Sequence, residues 1–293
     1  MVDEKTNLVG IMGYPLGHSL SPVLHNAAFN FLKMNWRYVA LPVLSSHLEE
    51  GVRGLGALGF KGGNVTIPHK ETCMQFLDCV SDDAKDLGAV NTIVVKHDEE
   101  SNRRMLWGTN TDWAGFRKSL QGCGFQDLAP SRALVVGAGG AASAVVYALG
   151  KMGTTEVKIL NRSQTRITRL VERMLNLFPE MTISNYELTD ENLINSCETV
   201  DLFVNTTPLG TTPNIHESIW PDEYFFPKNI LVYDLVYNPT KTQLIQQAEK
   251  SGAPAVNGLE MLVQQAAIAF ELWTDQIAPV AVMRKACEKA LEN

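Results

Sequence analysis

One short stretch, GAGGAAS at residues 137–143, most restricts the fold that this chain can adopt. It follows the β-rich run RALVV and opens the helix-patterned run AASAVVYALGKM, so Gly137, Gly139 and Ala142 fill a GxGxxA pattern between a strand and a helix. The first glycine permits a tight turn, the second lets a pyrophosphate approach the backbone, and the alanine lets helix and strand pack closely. A glycine-rich turn can be purely structural, but this context favours dinucleotide binding.

The end of the next strand indicates which dinucleotide is bound. An NAD site usually carries an acidic residue there to bind the ribose 2′-hydroxyl, but the run EVKIL is followed by NRSQTR. Asn161 takes the acidic position, Arg162 and Ser163 follow it, and Arg166 lies one turn further. Guanidinium groups suit the geometry of a 2′-phosphate, so we expect NADP. The alternative is an ordinary solvated arginine face at a helix start.

Short β-rich runs alternate with helical patterns along most of the 293 residues, first from LVGIMG onwards and again from RALVVGAGG onwards. This alternation predicts an α/β protein with an N-terminal, mostly parallel α/β substrate domain and a C-terminal Rossmann NADP-binding domain. The tail after VNGLEM has helical periodicity and no strand pattern, so we expect these C-terminal helices to pack back on the first domain. The predicted domains are 1–112 plus 259–293 for substrate binding and catalysis, and 113–258 for NADP.

Composition excludes several classes of function. The net charge of -7 gives no basic footprint for nucleic acid, and no apolar run approaches the roughly 18 residues that a membrane span needs. The five cysteines form no CxxC pair, so we expect reduced thiols. His18, His25 and His69 lack metal-ligand spacing, so we expect them to be packing or helix-start residues and expect no metal site. The charged N-terminus lacks the apolar core of a signal peptide. We therefore expect a cytoplasmic protein that acts on a small molecule.

Polar side chains cluster in the first domain at the predicted junctions of strands with turns or helices, the edge at which open α/β sheets bind ligands. Ser21, Thr66 and Asp112 could each instead be a helix N-cap. Together, however, the hydroxyls, amides, ammonium and carboxylate favour a pocket for a small polyhydroxylated acid, and an NADP site would supply hydride transfer. The cluster comprises Ser19, Ser21, Asn64, Thr66, Lys70, Asn91, Thr92, Asn110 and Asp112.

The stretch NVTIPHK raises a specific question about Lys70. Its proline predicts a helix through ETCMQFLDCV, which would put Lys70 in the first helical turn. A helix dipole disfavours a cation there by about 0.3 to 1 kcal/mol. A local rule broken in this way is either without significance or a sign that function outweighs stability, and this lysine alone does not decide between the two.

The motifs GHSLSPxxHN, NVTIPHK, AVNT, GTNTD, GAGGAA, NRSQTR, VYNP and GLEMLVQQA, in this order along nearly the whole chain, resemble the shikimate dehydrogenase family. The resemblance implies the reversible, NADP-dependent reduction of 3-dehydroshikimate to shikimate in aromatic amino acid biosynthesis. We expect a monomer or a homodimer, and the sequence does not decide between the two. The resemblance also implies that Lys70 is the catalytic acid/base and that Asp112 is its partner.

The same resemblance assigns binding roles. Ser19 and Ser21 match the serines that bind the substrate carboxylate, and Thr66, Asn91, Tyr237 and Gln265 match other substrate-site residues. The cofactor-binding set comprises Gly137, Ala138, Gly139, Gly140, Ala141, Asn161, Arg162, Ser163, Arg166, Thr206 and Gly258.

The sequence departs from the family pattern at two motif positions. Thr109 stands where many members have aspartate, and Thr211 stands where many have a methionine that packs on the nicotinamide. Two alternatives stay open at this point. One is a quinate/shikimate dehydrogenase with relaxed substrate or cofactor choice, and the other is a non-catalytic metabolite sensor of the same fold.

Overall fold

The computed structural model describes residues 3–17, 19–99, 103–125 and 130–292, so His18 lies outside the described residues. The first elements are β1 (Asn7–Gly13), α1 (Ser21–Phe31), β2 (Trp36–Pro42), α2 (Leu48–Ala57), β3 (Gly62–Val65), β4 (Cys79–Val80), α3 (Asp82–Leu87), β5 (Thr92–Asp98), β6 (Arg103–Thr109) and α4 (Asp112–Gly122). They are followed by β7 (Arg132–Val136), α5 (Gly140–Met152), β8 (Glu156–Asn161), α6 (Gln164–Leu177), β9 (Thr182–Glu187), α7 (Asp190–Cys197), β10 (Leu202–Asn205), β11 (Leu231–Asp234), α8 (Gln243–Ser251), β12 (Ala255–Asn257), α9 (Leu259–Thr274) and α10 (Val280–Leu291). Short 3-10 helices occur at Ser45–His47 and Thr72–Phe76. None of the helices in the described ranges combines the length and apolar character that a bilayer crossing requires.

The chain divides into two compact units, residues 1–115 with 263–293, and residues 116–262. In the first unit the sheet order is β2-β1-β3-β5-β6-β4. The pairs β1–β2, β1–β3 and β4–β6 are parallel, whereas β5 runs antiparallel to both β3 and β6. The mostly parallel α/β class is therefore confirmed, but the β5–β6 hairpin was not predicted from the sequence.

The predicted helix after NVTIPHK is wrong. The chain makes only a 3-10 helix at Thr72–Phe76, and Cys79–Val80 pairs as a strand. The Lys70 carbonyl accepts a 2.8 Å hydrogen bond from the Val90 amide instead of one from a following helical turn. Because no α-helix directly follows Lys70, the helix-dipole explanation for its amine does not apply.

The C-terminal helices pack on the first unit, as predicted. Phe270 and Trp273 of α9 both lie against the ring of His25 on α1, and Trp273 also lies against Tyr38 on β2. The indole of Trp273 also donates a 2.9 Å hydrogen bond to the Ile93 carbonyl. Each large apolar or aromatic side chain buried in this way contributes about 1.5 to 3 kcal/mol, which explains why the tail returns to this sheet.

The second unit contains a wholly parallel sheet in the order β12-β11-β10-β7-β8-β9. Its central strand RALVV is buried from Ala133 to Val136, as expected for a parallel strand covered on both faces. From β7 the chain first builds outward through β8 and β9, and then continues on the other side with β10. This reversal of strand order is the topological switch point at which Rossmann folds bind dinucleotides.

Candidate functional site

The polar cluster predicted from the sequence lies along one edge of the first sheet. Strands β1 and β3 end at this edge, and β6 ends there at Thr109. Because β5 is antiparallel, its first residue, Thr92, pairs with both Asn64 and Thr109. Asn91 therefore belongs to this edge although it precedes its strand.

Lys70 and Asp112 form an ion pair at this edge. The Lys70 ammonium donates a 2.6 Å hydrogen bond to Asp112 Oδ2, and the two side chains are 24% and 13% exposed. The Asn91 amide donates a 2.7 Å hydrogen bond to the other carboxylate oxygen, Oδ1. The carboxylate is thus held from two sides, while the amine remains partly accessible for a ligand.

The sequence around Asp112 explains how its position is fixed. Asp112 is the first residue of α4, and its backbone amide donates a 3.0 Å hydrogen bond to the Asn110 side chain. A carboxylate at a helix start is favoured by the dipole, in contrast to the predicted situation of Lys70. The N-cap alternative is not observed for Asp112, because it is the first helical residue and not the residue before the helix.

Thr111 links this segment to the C-terminal helix. Its hydroxyl contacts Asn91 Oδ1 at 3.3 Å and Gln265 Oε1 at 3.4 Å, and its amide donates to the same Asn91 oxygen at 2.7 Å. A Cβ at Gly115 would lie 2.7 Å from the Gln265 backbone nitrogen, so glycine permits this close approach. Sequence reasoning assigned no role to Thr111, although its position beside Asp112 was a usable signal.

The two predicted serines lie close together at the start of α1. Ser21 is the first helical residue, its side chain is buried, and its amide donates a 3.3 Å hydrogen bond to Ser19 Oγ. Thr66 is half-buried in the turn that follows β3, and the His69 amide donates to its carbonyl at 2.9 Å. The N-cap alternative is wrong for Ser21 and Thr66, because neither residue precedes an α-helix as its cap.

A buried polar chain behind the site was missed by sequence reasoning. The Tyr38 hydroxyl donates a 2.7 Å hydrogen bond to Asn64 Oδ1. Asn64 Nδ2 then donates to the Asn91 carbonyl at 3.1 Å and to Thr92 Oγ1 at 3.0 Å. Thr92 in turn donates to Asn91 Oδ1 at 3.0 Å, so the amide that holds Asp112 is itself held by this chain. A buried tyrosine requires such a hydroxyl partner, which was the available signal.

His25 and His69 are buried packing residues of the first unit. His69 is buried, and its Nε2 donates a 2.6 Å hydrogen bond to the Val43 carbonyl. His25 is fully buried, and its ring stacks on Tyr38 with centroids 4.4 Å apart. Burial lowers the pKa of His25 to about 3, so the ring is neutral near pH 7. Among the described residues, no cluster of histidine, cysteine and carboxylate side chains is arranged to hold a metal.

The glycine-rich turn of the second unit has the shape that a pyrophosphate requires. Gly137 has φ +117°, and a Cβ there would lie 2.2 Å from Thr206 Oγ1. Gly139 precedes α5 without a side-chain cap, and a Cβ on Gly139 or Gly140 would meet no atom within 4 Å. Space is therefore left beside both glycines at this positive helix end, which fits the phosphates of a dinucleotide. Ala138 and Ala141 complete the predicted turn, and both are half-buried.

The predicted 2′-phosphate contacts follow strand β8. Asn161 ends the strand, and its amide donates a 3.2 Å hydrogen bond to the Ser163 carbonyl. Ser163 precedes α6, and Arg162 and Arg166 are exposed on either side of it. Neither arginine forms a salt bridge with another described residue, so both guanidinium groups are available to a phosphate.

Two further predicted residues lie beyond β11 in the second unit. Tyr237 is half-buried in the loop that follows this strand. Gly258 follows β12, and a Cβ there would lie 2.0 Å from the Leu235 carbonyl oxygen. Only glycine allows the two backbone segments to approach this closely. Their binding roles remain predictions.

Thr109 and Thr211, the two residues that depart from the family pattern, both make local hydrogen bonds. Thr109 Oγ1 accepts a 3.0 Å hydrogen bond from the Ser81 hydroxyl. The Thr211 hydroxyl donates a 3.2 Å hydrogen bond to the Asn238 carbonyl, and its side chain is half-buried. Thr109 thus links the end of β6 to Ser81, and Thr211 belongs to the loop that follows β10.

Three family models match the chain. The model for the shikimate dehydrogenase substrate binding domain matches residues 11–93, the model for shikimate / quinate 5-dehydrogenase matches 120–207, and the model for the shikimate 5′-dehydrogenase C-terminal domain matches 258–288.

Full-length relatives agree with these models. The NADP(+) shikimate dehydrogenase of Moorella thermoacetica is 43% identical over 99% of this chain and 95% of its own length. A crystal structure of a shikimate dehydrogenase in complex with NADP+ has a TM-score of 0.87 and 36% identity, and covers 99% of this chain and 98% of that one. The Thermus thermophilus enzyme in complex with NADP(H) and shikimate has a TM-score of 0.83 and 33% identity, over 98% of this chain and 100% of that one.

Proposed function

Because this chain belongs to the shikimate dehydrogenase family, we propose that it catalyses the reversible NADP-dependent reduction of 3-dehydroshikimate to shikimate, with Lys70 and Asp112 as the catalytic pair. The observation that carries the residue assignment is the 2.6 Å hydrogen bond between the two side chains at the ligand-binding edge of the first sheet. The proposal keeps residues 1–112 plus 259–293 as the substrate-binding and catalytic domain and residues 113–258 as the NADP domain. It also includes a cytoplasmic location and a monomer or homodimer.

The cofactor requirement fits the residues of the second unit. The Gly137 turn and the uncapped start of α5 suit the pyrophosphate, and Arg162 and Arg166 suit the 2′-phosphate. When bound, the nicotinamide supplies the hydride in reduction and accepts it in oxidation.

Lys70 would act on the oxygen that changes its bonding during the reaction. As a ketone is reduced, negative charge develops on its oxygen, and a positioned ammonium group stabilises that charge and donates the proton. In the oxidation direction the same amine would take the hydroxyl proton. Asp112 would orient the amine, because its carboxylate is fixed on the opposite side by Asn91.

The remaining polar groups would bind the substrate. Ser19 and Ser21, adjacent at the start of α1, suit a carboxylate, since two hydroxyls can donate to its oxygens. Thr66 and Asn91, together with Gln265 from the C-terminal segment, would bind ring hydroxyls in the same unit. Tyr237 keeps the substrate-binding role that the family resemblance implies.

The direct test mixes purified protein with shikimate and NADP+ and follows the near-ultraviolet absorbance of reduced nicotinamide. We expect turnover with the wild type and a large loss with Lys70→Ala. Absence of turnover in a folded wild-type protein that binds both ligands would contradict the proposal.

A second candidate is a quinate/shikimate dehydrogenase with relaxed specificity, which the description of the family model matching residues 120–207 supports. Comparing kcat/KM for shikimate and quinate, each with NADP and NAD, separates the two candidates. The exposed pair Arg162 and Arg166 favours NADP in this comparison.

A further inference from the structure

Asp234, at the end of β11 in the second unit, is a buried carboxylate without a cationic partner. Its side chain is 0% exposed, and no described lysine or arginine forms an ion pair with it. Removing an ionised carboxylate from water costs several kcal/mol unless other groups compensate. An apolar side chain at this position would avoid that desolvation cost, yet the chain has a carboxylate here.

Three donors surround this carboxylate. Thr242 donates a 2.6 Å hydrogen bond to Oδ2, while Asn205 Nδ2 and the Val236 amide donate to Oδ1 at 2.9 and 3.1 Å. Burial raises the pKa of Asp234, and the hydrogen bonds from Thr242, Val236 and Asn205 oppose this rise. The Asn205 side-chain amide and the Val236 backbone amide can only donate, so Oδ1 is held as an acceptor by two N–H groups. These hydrogen bonds favour the ionised form of the carboxylate.

The contacts of Asp234 connect it to the loop that follows β10. Asn205 Oδ1 accepts hydrogen bonds from the Thr207 amide at 3.0 Å and from the Thr207 hydroxyl at 2.7 Å. The adjacent Thr206 lies against Gly137 of the pyrophosphate turn, with its hydroxyl donating to the Val136 carbonyl at 2.7 Å. The carboxylate thus lies beneath a loop at the cofactor-binding edge of the sheet.

The topology indicates which half of the cofactor this charge faces. A dinucleotide spans the switch point, with one mononucleotide on each half of the sheet. Arg162 and Arg166 follow β8, so the 2′-phosphate and its adenosine belong to the β7-β8-β9 half. The nicotinamide then belongs to the β10-β11-β12 half, which contains Asp234.

We propose that the buried Asp234 carboxylate tunes the redox preference of cofactor binding by favouring NADP+ over NADPH. The oxidised nicotinamide ring carries a positive charge and the reduced ring does not, so a fixed negative charge in this half of the sheet attracts only the oxidised form. The low-dielectric surroundings of a fully buried group strengthen that attraction. The inference rests on the proposed NADP-dependent function and assigns a role to a residue outside the predicted cofactor set.

Asp234→Asn provides the test because it removes the charge and keeps the shape. The asparagine oxygen can still accept from Asn205 and Val236, and its amide can donate to the Thr242 hydroxyl. Dissociation constants for NADP+ and NADPH would be measured separately by isothermal titration calorimetry, without substrate and at fixed salt. We expect the ratio Kd(NADP+)/Kd(NADPH) to rise about three-fold or more, mainly through weaker NADP+ binding.

Thr242→Val is the matched control. It removes one hydrogen bond to the carboxylate but leaves the charge, so any loosening of the loop should weaken both cofactors by a similar factor and leave the ratio unchanged. The inference would be overturned if Kd(NADP+)/Kd(NADPH) were unchanged in folded Asp234→Asn. It would also be overturned if this ratio changed by the same factor in Thr242→Val.

Thr207→Asp covers the case in which Asp234→Asn does not fold. This substitution adds a negative charge to the half-buried loop after β10 and should lower Kd(NADP+)/Kd(NADPH). An unchanged ratio in this variant would also overturn the inference. A wild-type protein that binds neither cofactor would instead contradict the proposed function, so the two failures are distinguishable.

Discussion

The Lys70 ammonium donates a 2.6 Å hydrogen bond to Oδ2 of Asp112. The bond joins the turn after β3 to the first residue of α4, two segments separated by 42 residues in sequence. Both side chains are partly shielded from water, which strengthens their interaction relative to an exposed pair. The pair can therefore hold an amine in a fixed position beside a ligand.

Replacing either member of the pair should slow the chemical step of the reaction. We expect Lys70→Ala and Asp112→Ala each to lower kcat by about 100-fold or more, with smaller changes in shikimate binding, because a proton donor and its orienting group act mainly in the transition state. Steady-state kinetics and calorimetric substrate titration would measure the two effects. Lys85→Ala, which breaks an exposed ion pair with Asp82, is the control and should retain wild-type kcat. Near-normal kcat in either catalytic-pair variant would refute the assignment.

The arginines after β8 should determine cofactor choice. The double substitution of Arg162 and Arg166 by alanine should weaken NADP+ binding by about ten-fold or more and leave NAD+ binding nearly unchanged, because only NADP+ carries the 2′-phosphate. Titration with both dinucleotides measures the selectivity. Arg169→Ala, an exposed arginine further along α6, is the matched control. Equal losses for the two cofactors would show that the pair is only a solvated cationic face.

His25 should make the stability of the protein sensitive to acid. Burial lowers its folded-state pKa from 6.5 to about 3, so the unfolded chain binds the proton more readily between these values. The folded state is therefore destabilised by acid. The contribution of neutral His25 to the free energy of unfolding is fully present above about pH 6.5. It is lost as the pH falls toward 3, by about 1.4 kcal/mol per pH unit and up to about 5 kcal/mol in total.

Denaturant unfolding at several pH values between 7 and 5 would measure this loss. His25→Phe keeps a ring that can stack on Tyr38 but cannot be protonated, so its free energy of unfolding should fall less steeply with acid. Identical pH slopes for the variant and the wild type would contradict the prediction, whatever the absolute stability of the variant.

Much of the architecture could be predicted because it depends on local patterns. The strand–turn–helix at Gly137 and the alternation of strands and helices require only neighbouring residues to be read together. No α-helix forms directly after Pro68; the Lys70 carbonyl instead bonds to the Val90 amide, and Cys79–Val80 pairs with β6, a segment distant in sequence. Strand pairing of this kind has no local signal.

The polar edge was predicted more fully than its internal connections. Asn91 was placed at the edge with the other polar groups, although the antiparallel direction of β5 that brings it there was not foreseen. The chain from Tyr38 through Asn64 could not be derived, since it depends on side chains from separate strands meeting in the interior. The same is true of Asp234, whose donors come from three segments.

Two glycines of the cofactor turn should separate folding from binding. Gly137 has φ +117° and a Cβ there would lie 2.2 Å from Thr206 Oγ1, so Gly137→Ala should lower the free energy of unfolding by about 1 kcal/mol or more and also impair NADP+ binding. Gly139 has an ordinary negative φ, and its Cβ would meet no protein atom within 4 Å. Gly139→Ala should therefore leave the thermal unfolding temperature nearly unchanged and still weaken NADP+ binding, because the methyl group would occupy space needed by the pyrophosphate. Gly122→Ala, at another open position, is the control for both measurements. Unchanged NADP+ affinity in a stable Gly139→Ala variant would exclude this turn as the pyrophosphate site, since the only space that the added methyl group can take is the space assigned to the cofactor.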